Sequence, residues 1–373
     1  MIWVFWASAL VVAYTYAGYP LWLWLRGWLH PWPVLRGICE PPVSVVMVVR
    51  NEEATVARKI RNLLELDYPG DRLQVVVVSD GSTDGTDAIL AEQMRDPRVQ
   101  VIYNHRAQGK AAGLNTGIGG ARGEIVVFTD VRQTIERGAV RLLLENFADS
   151  AVGAVSGELM LGDPAAGETN RGLGLYWRVE KRVRELEAKS GSVVGVTGAL
   201  YAARRELLPT LPEDTILDDV FIPMSVLRGG HRVLFDARAR AWDVADMGRN
   251  REFARKVRTL NGNYQLVRLA PWLLTKANPA RFEFVSHKLM RLISPFALGG
   301  MLVASAFLQR PMYRVALALQ LAFYLLSGLA AAHLARGPIR RVADAAFTFV
   351  LLNTAAVVAF ANFVTGRKAA WRP

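Results

Sequence analysis

Three carboxylates in this chain each follow a short apolar run: Glu52, Asp80 and Asp130. Such runs are typical of buried parallel strands, whose carboxyl ends meet at one edge of a sheet. Open α/β sheets bind their ligands at that edge. The glycine-rich, acidic turn that contains Asp80 can accept hydrogen bonds from a base or a ribose. Each carboxylate alone is better explained as a helix cap or a turn residue, so the predicted site depends on all three occurring together.

Strands and helices alternate in the middle of the chain, and they must position these carboxylates. The predicted strands are residues 43–49, 73–78, 99–103, 124–128 and 152–155. Helical patterns lie between them, the first over residues 52–64. This alternation predicts an α/β fold with a doubly wound, mostly parallel sheet, and we assign residues 40–268 to that domain.

Apolar residues are concentrated at the two ends of the chain. Residues 2–25 carry no charge and are long enough to cross a hydrocarbon core of ~30 Å as a helix. Because no lysine or arginine precedes this run, we interpret residues 1–28 as a retained transmembrane anchor rather than a cleaved signal peptide. Apolar stretches at residues 292–308, 312–335 and 342–364 predict about three C-terminal transmembrane helices within residues 292–366.

Residues 269–291 mix aromatic, apolar and basic side chains, which predicts amphipathic helices on the membrane surface. The basic loop at residues 336–341 favours a cytoplasmic central domain, because cytoplasmic loops are rich in lysine and arginine. The C-terminal tail, with Arg367, Lys368 and Arg372, would then lie on the opposite side. This conflict leaves the number of spans open.

The net charge of +12 indicates a negatively charged partner. Membrane lipids and a diphosphate-bearing substrate are favoured over nucleic acid, because the sequence contains no zinc-finger pattern, no aromatic RNA-binding motif and no basic low-complexity tail. Cys39 is the single cysteine, so an intrachain disulfide is impossible, which fits a reducing compartment.

Two further patterns are interpreted as structural. Residues 117–123 are rich in glycine, but Arg122 stands where a dinucleotide-binding turn needs a glycine, and the segment follows a helix rather than a strand. His105, His231 and His287 lack metal-ligand spacing, and we interpret them as surface or interfacial residues.

Four motifs occur in order within residues 42–268: Val49-Arg50-Asn51-Glu52, Ser79-Asp80-Gly81-Ser82-Thr83-Asp84, Gly109-Lys110-Ala111-Ala112-Gly113-Leu114-Asn115 and Leu217-Asp218-Asp219. In this combination the chain resembles the family-2 inverting glycosyltransferases with a GT-A fold. The resemblance is to their membrane-bound branch, which includes cellulose, chitin and hyaluronan synthases. It implies a Rossmann-like GT-A domain with a mixed, mostly parallel sheet, flanked by N- and C-terminal transmembrane helices.

The resemblance also implies an activity. The protein would transfer a sugar, with inversion, from a UDP-sugar to a lipid-linked or membrane-proximal saccharide, in polysaccharide or glycolipid synthesis. It would be an integral protein of a bacterial inner membrane with its catalytic domain in the cytoplasm.

The resemblance further implies that seven residues bind the nucleotide part of the donor: Arg50, Asn51, Glu52, Asp80, Ser82, Lys110 and Asn115. Glu52 and Asp80 would hold the uracil and the ribose, and Lys110 and Asn115 would border the pocket. The alternative for the last two is an ordinary solvated helix N-terminus.

Asp130 matches the first aspartate of the family's D-x-D motif, which implies a role in binding the ribose and a divalent metal, Mg²⁺ or Mn²⁺. The position of the second aspartate is Arg132, and a cation cannot ligate a metal. Either another oxygen ligand completes the metal site, or Arg132 itself binds the donor diphosphate.

On the acceptor side, the resemblance implies that Asp219 of the pair Asp218-Asp219 takes the proton from the attacking hydroxyl as a general base. The alternative is that the pair caps the helix that follows. Gly198 lies in residues 197–200, which resemble the acceptor-side glycine segment of the family.

Arg255 and Arg258 fall where processive synthases carry the Q-x-x-R-W motif, so Arg258 would contact the pyrophosphate. Thr259 replaces the tryptophan that stacks on the acceptor sugar, which weakens the case for a long polymer. A basic amphipathic helix on anionic lipid is the alternative for this segment.

Two other functions stay open at this point. One is a processive polysaccharide synthase that also exports its product. The other, suggested by Arg132, is a catalytically inactive scaffold that binds a nucleotide-sugar.

Overall fold

A single sheet joins the strands of this protein in a computed structural model, which describes residues 1–163, 168–169, 174–243 and 249–367. The strands within these residues are β1 (Val43–Val49), β2 (Leu73–Asp80), β3 (Val99–Asn104), β4 (Ile125–Phe128), β5 (Thr134–Ile135), β6 (Val152–Asp163), β7 (Glu168–Thr169), β8 (Tyr201–Arg204) and β9 (Arg232–Asp243). Their order in the sheet is β3-β2-β1-β4-β8-β6-β9-β5, and β7 pairs with β6.

The direction of the strands changes half-way across the sheet. Strands β1 to β4 are mutually parallel, whereas β8 runs antiparallel to both β4 and β6. Strands β6 and β9 are parallel to each other. The prediction of a mixed, mostly parallel sheet is confirmed, and the carboxyl ends of β1, β2 and β4 lie at one edge.

Helices cover both faces of the sheet and extend beyond it at both ends of the chain. The described helices are α1 (Ile2–Ala13), α2 (Tyr19–Leu29), α3 (Val56–Leu64), α4 (Thr86–Gln93), α5 (Lys110–Gly120), α6 (Ala139–Leu144), α7 (Gly174–Ser190), α8 (Asp218–Arg228), α9 (Arg249–Leu269), α10 (Arg281–Phe284), α11 (Met290–Phe307), α12 (Pro311–Ala331) and α13 (Ile339–Val364).

Strand β1 shows why the sheet is covered on both faces. Its side chains alternate between the faces, so Val45 packs in one apolar cluster with Ile60 of α3, and Val46 packs in the other with Leu114 of α5. Helix α5 lies very close to the strand, because a Cβ added to Gly117 would be 2.6 Å from Val46 Cγ1. This packing fixes the position of α5 against the sheet. Helix α5 begins with Lys110, which is a predicted site residue.

Four helical stretches are long and apolar enough to cross a membrane: Ile2–Leu29, Arg281–Phe307, Pro311–Ala331 and Ile339–Val364. The first stretch comprises α1, a π-helical turn and α2, and it packs along α11 through Phe5 and Ala304. Helix α13 packs against α9 of the central domain through Val257 and Ala355. Of the basic tail residues, Arg367 is described, and Lys368 and Arg372 lie outside the described residues.

The segment predicted as separate interfacial helices differs from that expectation. Helix α10, a π-helical turn over Val285–Leu289 and α11 form one uninterrupted helical stretch. Two of its charged side chains contact other helices, since Arg291 pairs with Glu180 of α7 at 2.7 Å and Glu283 pairs with Arg26 of α2. These two charges are therefore used in contacts between helices, whereas Lys276 and Arg281 are exposed.

Candidate active site

Lys110 joins two of the predicted acidic residues. Its ammonium lies 3.1 Å from Asp130 Oδ1 and 3.3 Å from Asp218 Oδ2. A Cβ built on Gly198 would lie 3.7 Å from Asp130 Oδ2 and 3.8 Å from Lys110 Nζ. The structure thus brings together the start of α5, the end of β4, the start of α8 and Gly198, which was predicted to lie on the acceptor side. We call Lys110, Asp130, Asp218 and Asp219 the acidic centre.

Asp219 is a carboxylate of the acidic centre whose surroundings change its pKa. Burial and the neighbouring charge of Asp218 raise its pKa to about 6, although the positive charges of Lys110 and Lys288 oppose this rise. Burial alone would lower the pKa of Lys110, but the carboxylates around it outweigh that effect and raise it. Asp219 is therefore ionised at neutral pH, and it is more basic than an exposed aspartate.

Asp80, the last residue of β2, lies in a different environment. Its carboxylate is fully buried and accepts hydrogen bonds from Asn104 Nδ2 at 3.1 Å and from the backbone amides of Gln108 and Gly109, both at 2.9 Å. Gly81 permits this turn, since its φ is 64° and a Cβ there would be 2.5 Å from the amide nitrogen of Ala107. Both oxygens of Asp80 therefore fix the loop that leads into Lys110.

Other residues that were predicted to bind the donor also form hydrogen bonds within the protein. Asn51 has a φ of 54°, and its Oδ1 accepts a hydrogen bond from the amide of Thr83 at 2.8 Å. The Asn51 amide donates to Ser82 Oγ at 3.2 Å, and Glu52 Oε2 accepts from Thr55 Oγ1 at 2.7 Å. These contacts join the carboxyl ends of β1 and β2, as the sequence predicted, and Arg50 lies half-buried at the same edge.

Asn115 is placed away from that edge. Its Nδ2 donates to the carbonyl of Leu211 and its Oδ1 accepts from the amide of Leu211, both at 2.9 Å. The side chain thus joins α5 to the segment that precedes α8. The predicted role of Asn115 in binding the nucleotide stays a prediction.

We call Arg132, Arg255 and Arg258 the basic group, because the charges of Arg132 and Arg258 both act on Arg255. Burial and then the positive charge of Arg132 lower the pKa of Arg255, and Arg258 lowers it further. Two segments that the sequence analysis treated separately, the turn after β4 and helix α9, are therefore electrostatic neighbours. Such a group is suited to a multiply charged anion.

Two buried residues near the acidic centre were not predicted from the sequence. Tyr201 is fully buried and stacks on Phe128 at a centroid distance of 4.6 Å, and its hydroxyl has no hydrogen-bond partner within the described chain. Lys59 is also buried and donates to Thr129 Oγ1 at 2.9 Å and to the carbonyl of Gln133 at 2.7 Å. Burial lowers the pKa of Lys59 to about 7, against the opposing charge of Asp130.

One of these two residues could have been found from the sequence. Lys59 occupies the apolar face of α3, at helical spacing from Val56, Ile60 and Leu63. A lysine at a core position is a signal for a buried charge. Tyr201 gave no such signal, because an aromatic residue in a strand is usually part of the core.

The interpretation of His287 as a surface or interfacial residue is wrong. Only 2% of the residue is exposed, and its Nδ1 lies 2.8 Å from Glu187 Oε1 while its Nε2 lies 3.2 Å from Glu180 Oε1. The uninterrupted helical stretch through α10 and α11 places His287 against α7, whose two glutamates point away from the solvent.

A divalent metal would find few ligands from the protein in this region. Among the described residues there is no group of three or more histidine, cysteine, aspartate or glutamate side chains that could hold one. Asp130 is nevertheless suited to bind such an ion, because Lys110 occupies Oδ1 and Oδ2 accepts no hydrogen bond in the described part of the chain. Mg²⁺ and similar ions often take one or two carboxylates and complete their shell with phosphate and water.

Residues 44–211 match the model of the family described as Glycosyl transferase family 2. These residues contain the turns after β1 and β2, the start of α5 and the turn after β4. The match to glycosyl transferase family 2 therefore covers most of the central domain. Asp218 and Asp219 lie just beyond the matched range.

The family-2 domain and its helices are similar to one solved structure along nearly the whole chain. That structure is the mannosyltransferase PcManGT from Pyrobaculum calidifontis in complex with GDP-Man and Mn²⁺, with 25% identity and a TM-score of 0.75. The match covers 97% of this chain and 99% of that one, and it confirms the predicted GT-A fold.

Two curated relatives match over a smaller part of their length. A beta-monoglucosyldiacylglycerol synthase of Synechocystis is 29% identical over 199 residues, which cover 50% of this chain and 41% of the relative. A poly-beta-1,6-N-acetyl-D-glucosamine synthase of Staphylococcus epidermidis is 22% identical over 243 residues, which cover 63% of this chain and 57% of the relative. The chain thus spans about half the length of these relatives.

Proposed function

We propose that this protein transfers a sugar, with inversion, from a nucleoside-diphosphate sugar to a hydroxyl of a membrane-bound acceptor. The observation that carries the proposal is the state of Asp219, a half-buried carboxylate in the acidic centre whose pKa is raised to about 6. A general base works best when its pKa lies near the working pH, so that it is ionised and still takes a proton readily.

The donor diphosphate is proposed to lie between the acidic centre and the basic group. Arg132, Arg255 and Arg258 would contact its oxygens, since guanidinium groups bind phosphate in a bidentate geometry. Asp130 would hold Mg²⁺ or Mn²⁺ through Oδ2. When bound, the metal would neutralise charge on the departing nucleoside diphosphate as a Lewis acid.

Asp219 is proposed to accept the proton of the acceptor hydroxyl. As the hydroxyl oxygen bonds to the anomeric carbon, the bond from that carbon to the diphosphate breaks, and its electron pair leaves with the nucleotide. Lys110 holds Asp218 and Asp130 in place through the two ion pairs described above. The attack comes from the face opposite the leaving group, so the anomeric configuration is inverted.

A UDP-sugar is the donor that the motifs imply, with Glu52 beside the base and the ribose and Asp80 fixing the loop that borders them. GDP-mannose is the second candidate, because the mannosyltransferase that resembles this chain over 97% of its length binds GDP-Man. The acceptor is proposed to be a lipid or a lipid-linked saccharide at a bacterial inner membrane, reached from the cytoplasm.

Processive polymer synthesis is the competing function within enzymes, and the Staphylococcus relative favours it. Thr259 in place of a stacking tryptophan argues for a single addition. The length of the product made by the purified protein distinguishes these two possibilities.

The experiment that tests the proposed function measures nucleoside diphosphate release by the detergent-purified protein. UDP-sugars and GDP-mannose are supplied in turn with a membrane lipid extract, in the presence of Mg²⁺, Mn²⁺ or EDTA. We expect turnover with one donor and loss of turnover in EDTA. Turnover that survives EDTA would assign the diphosphate to Arg132 instead of a metal. Nucleotide binding without turnover under every condition would favour the inactive scaffold.

A further inference from the structure

Lys288 brings a positive charge from the helical stretch through α10 and α11 close to Asp219. It lies in the π-helical turn between α10 and α11, and its Nζ is 3.3 Å from the position of a Cβ built on Gly195. The next residue, Val196, donates its amide to the Asp219 carbonyl at 2.8 Å. The charge of Lys288 also opposes the rise in the pKa of Asp219. Lys288 therefore lies at the acceptor side of the acidic centre.

The charge of Lys288 is not neutralised by an ion pair. Over the described ranges of the chain, its ammonium donates no hydrogen bond and lies within 4.0 Å of no carboxylate. Glu180 is the nearby carboxylate that could have paired with it, but Glu180 pairs with Arg291 at 2.7 Å and with Arg184 at 3.4 Å. A half-buried ammonium without a counterion is costly, so the site favours an anion.

An apolar cavity lies on the same face of this helix, further along the membrane-spanning stretch. Pro295 and Gly299 of α11 line it together with Tyr324 of α12 and Val357 of α13, and its volume is about 330 Å³. Pro295 and Gly299 follow Lys288 by about two and three helical turns, so they share its face and lie roughly 10 to 17 Å along the axis. A polar site and an apolar cavity are thus aligned on one helix face.

We propose that the acceptor is a membrane lipid whose headgroup carries both a phosphate and a free hydroxyl. The phosphate contacts Lys288, the hydroxyl faces Asp219, and the hydrocarbon chain occupies the cavity between α11, α12 and α13. The phosphate satisfies the unpaired ammonium, and the hydroxyl supplies the proton that Asp219 takes. This assignment rests on the proposed function and specifies its acceptor.

The charge of the lipid product tests the chemical class of the acceptor. The protein is given a membrane lipid extract and a radiolabelled nucleotide-sugar, and the labelled lipid is applied to an anion-exchange resin. We expect an anionic product that requires salt for elution, with added phosphatidic acid acting as a competitor. A neutral labelled lipid that passes through the resin would overturn the assignment. No labelled lipid with any donor would contradict the proposed function itself, and the assignment with it.

Lys288→Met tests the phosphate contact, with Lys276→Met as the matched control because Lys276 is an exposed lysine in the preceding loop. Loss of a hydrogen bond from a charged donor should raise the acceptor concentration for half-maximal rate about tenfold or more. Binding of the nucleotide-sugar should not change. If both variants needed the same acceptor concentration for half-maximal rate, the proposed role of Lys288 would be overturned.

Gly299→Leu tests whether the cavity holds the acceptor chain. A Cβ on Gly299 or on Gly328 meets no atom within 4 Å, and Gly328 lies in α12 outside the cavity lining, so Gly328→Leu is the matched control. Both changes replace glycine by a better helix former and should preserve folding, which the melting temperature checks. We expect the acceptor concentration for half-maximal rate to rise severalfold in Gly299→Leu and to stay unchanged in Gly328→Leu. Identical acceptor kinetics in the two leucine variants would exclude the cavity.

Discussion

Asp80 and Asp219 are both carboxylates at the edge of the same sheet, yet their surroundings are opposite. Asp80 is fully buried and accepts three hydrogen bonds from Asn104, Gln108 and Gly109. Asp219 is half-buried beside a second carboxylate, and its pKa is raised to about 6. Hydrogen-bond donors of the protein surround the carboxylate of Asp80, whereas burial and the charge of Asp218 disfavour the ionised form of Asp219.

This difference separates a positioning role from a chemical one. Asp80 holds the loop that begins α5 and thereby places Lys110, which in turn holds Asp130 and Asp218. Asp219 has a raised proton affinity because burial and the charge of Asp218 disfavour its ionised form. A motif residue can therefore be required for a site without contacting the substrate, and substitutions should distinguish the two cases.

Asp219→Asn should give the largest effect on activity. Removal of a general base typically lowers the rate by about 10² to 10⁴-fold, and nucleotide-sugar binding should persist. Glu213→Gln, at an exposed carboxylate in the segment before α8, is the control and should retain activity. Calorimetric binding of the nucleotide beside turnover assays checks both. If Asp219→Asn still turned over at about half the original rate, Asp219 would not be the general base.

The same substitution makes a prediction about stability. Because the folded protein raises the Asp219 pKa above its usual value, the charged form destabilises the fold, and this contribution is present once the pH rises through about 6. Asp219→Asn should therefore leave the melting temperature at pH 7 unchanged or higher. A clear drop would show that the charge is stabilised.

Asp80→Ala should instead act mainly on stability. It removes the acceptor of three hydrogen bonds and leaves backbone donors unsatisfied, which should cost at least about 2 kcal/mol in the free energy of unfolding. Asp71→Ala, at an exposed carboxylate, should change it by less than about 0.5 kcal/mol. Denaturant unfolding in detergent measures both. If Asp80→Ala lost donor affinity at unchanged stability, Asp80 would contact the nucleotide directly.

The pH profile should show the raised proton affinity of Asp219. A base must be deprotonated to act, so kcat should fall about tenfold per pH unit below a midpoint near 6. Arg184→Met should move this midpoint to higher pH, because the charge of Arg184 lowers the Asp219 pKa. Initial rates from pH 4.5 to 8 test this. A profile that is flat down to pH 4.5 would assign the base to another group.

Asn115→Ala should give the smallest effect, and it tests a residue that belongs to the donor side by resemblance. It loses two hydrogen bonds to Leu211, which should cost about 1 to 2 kcal/mol of stability. The KM for the donor should stay within about twofold of the original value. A large rise in that KM without a loss of stability would restore the role in nucleotide binding.

Much of the fold was predictable from local sequence. The β-branched run of Val43–Val49 matches β1, because a strand buried on both faces reads as a continuous apolar run. The edge that carries Asp80 and Asp130 followed from the parallel order of β1, β2 and β4. The four apolar stretches were visible from composition alone.

The contacts between distant segments were not predictable. Lys288 and His287 lie in a segment that reads as interfacial, and only the uninterrupted helical stretch brings them to Asp219 and α7. The sequence likewise could not show that the oxygens of Asp80 would be used by Gln108 and Gly109. Such contacts depend on packing between elements, for which a single sequence contains no pattern.

The most direct test of the account is the anomeric configuration of the product. The donor in this test is an α-linked nucleotide-sugar. In the NMR spectrum of the glycosylated acceptor, the one-bond coupling constant between the anomeric carbon and its proton reports the configuration. A single displacement assisted by Asp219 predicts a β-linked product. An α-linked product would contradict the account, because retention cannot arise from one attack opposite the leaving nucleotide.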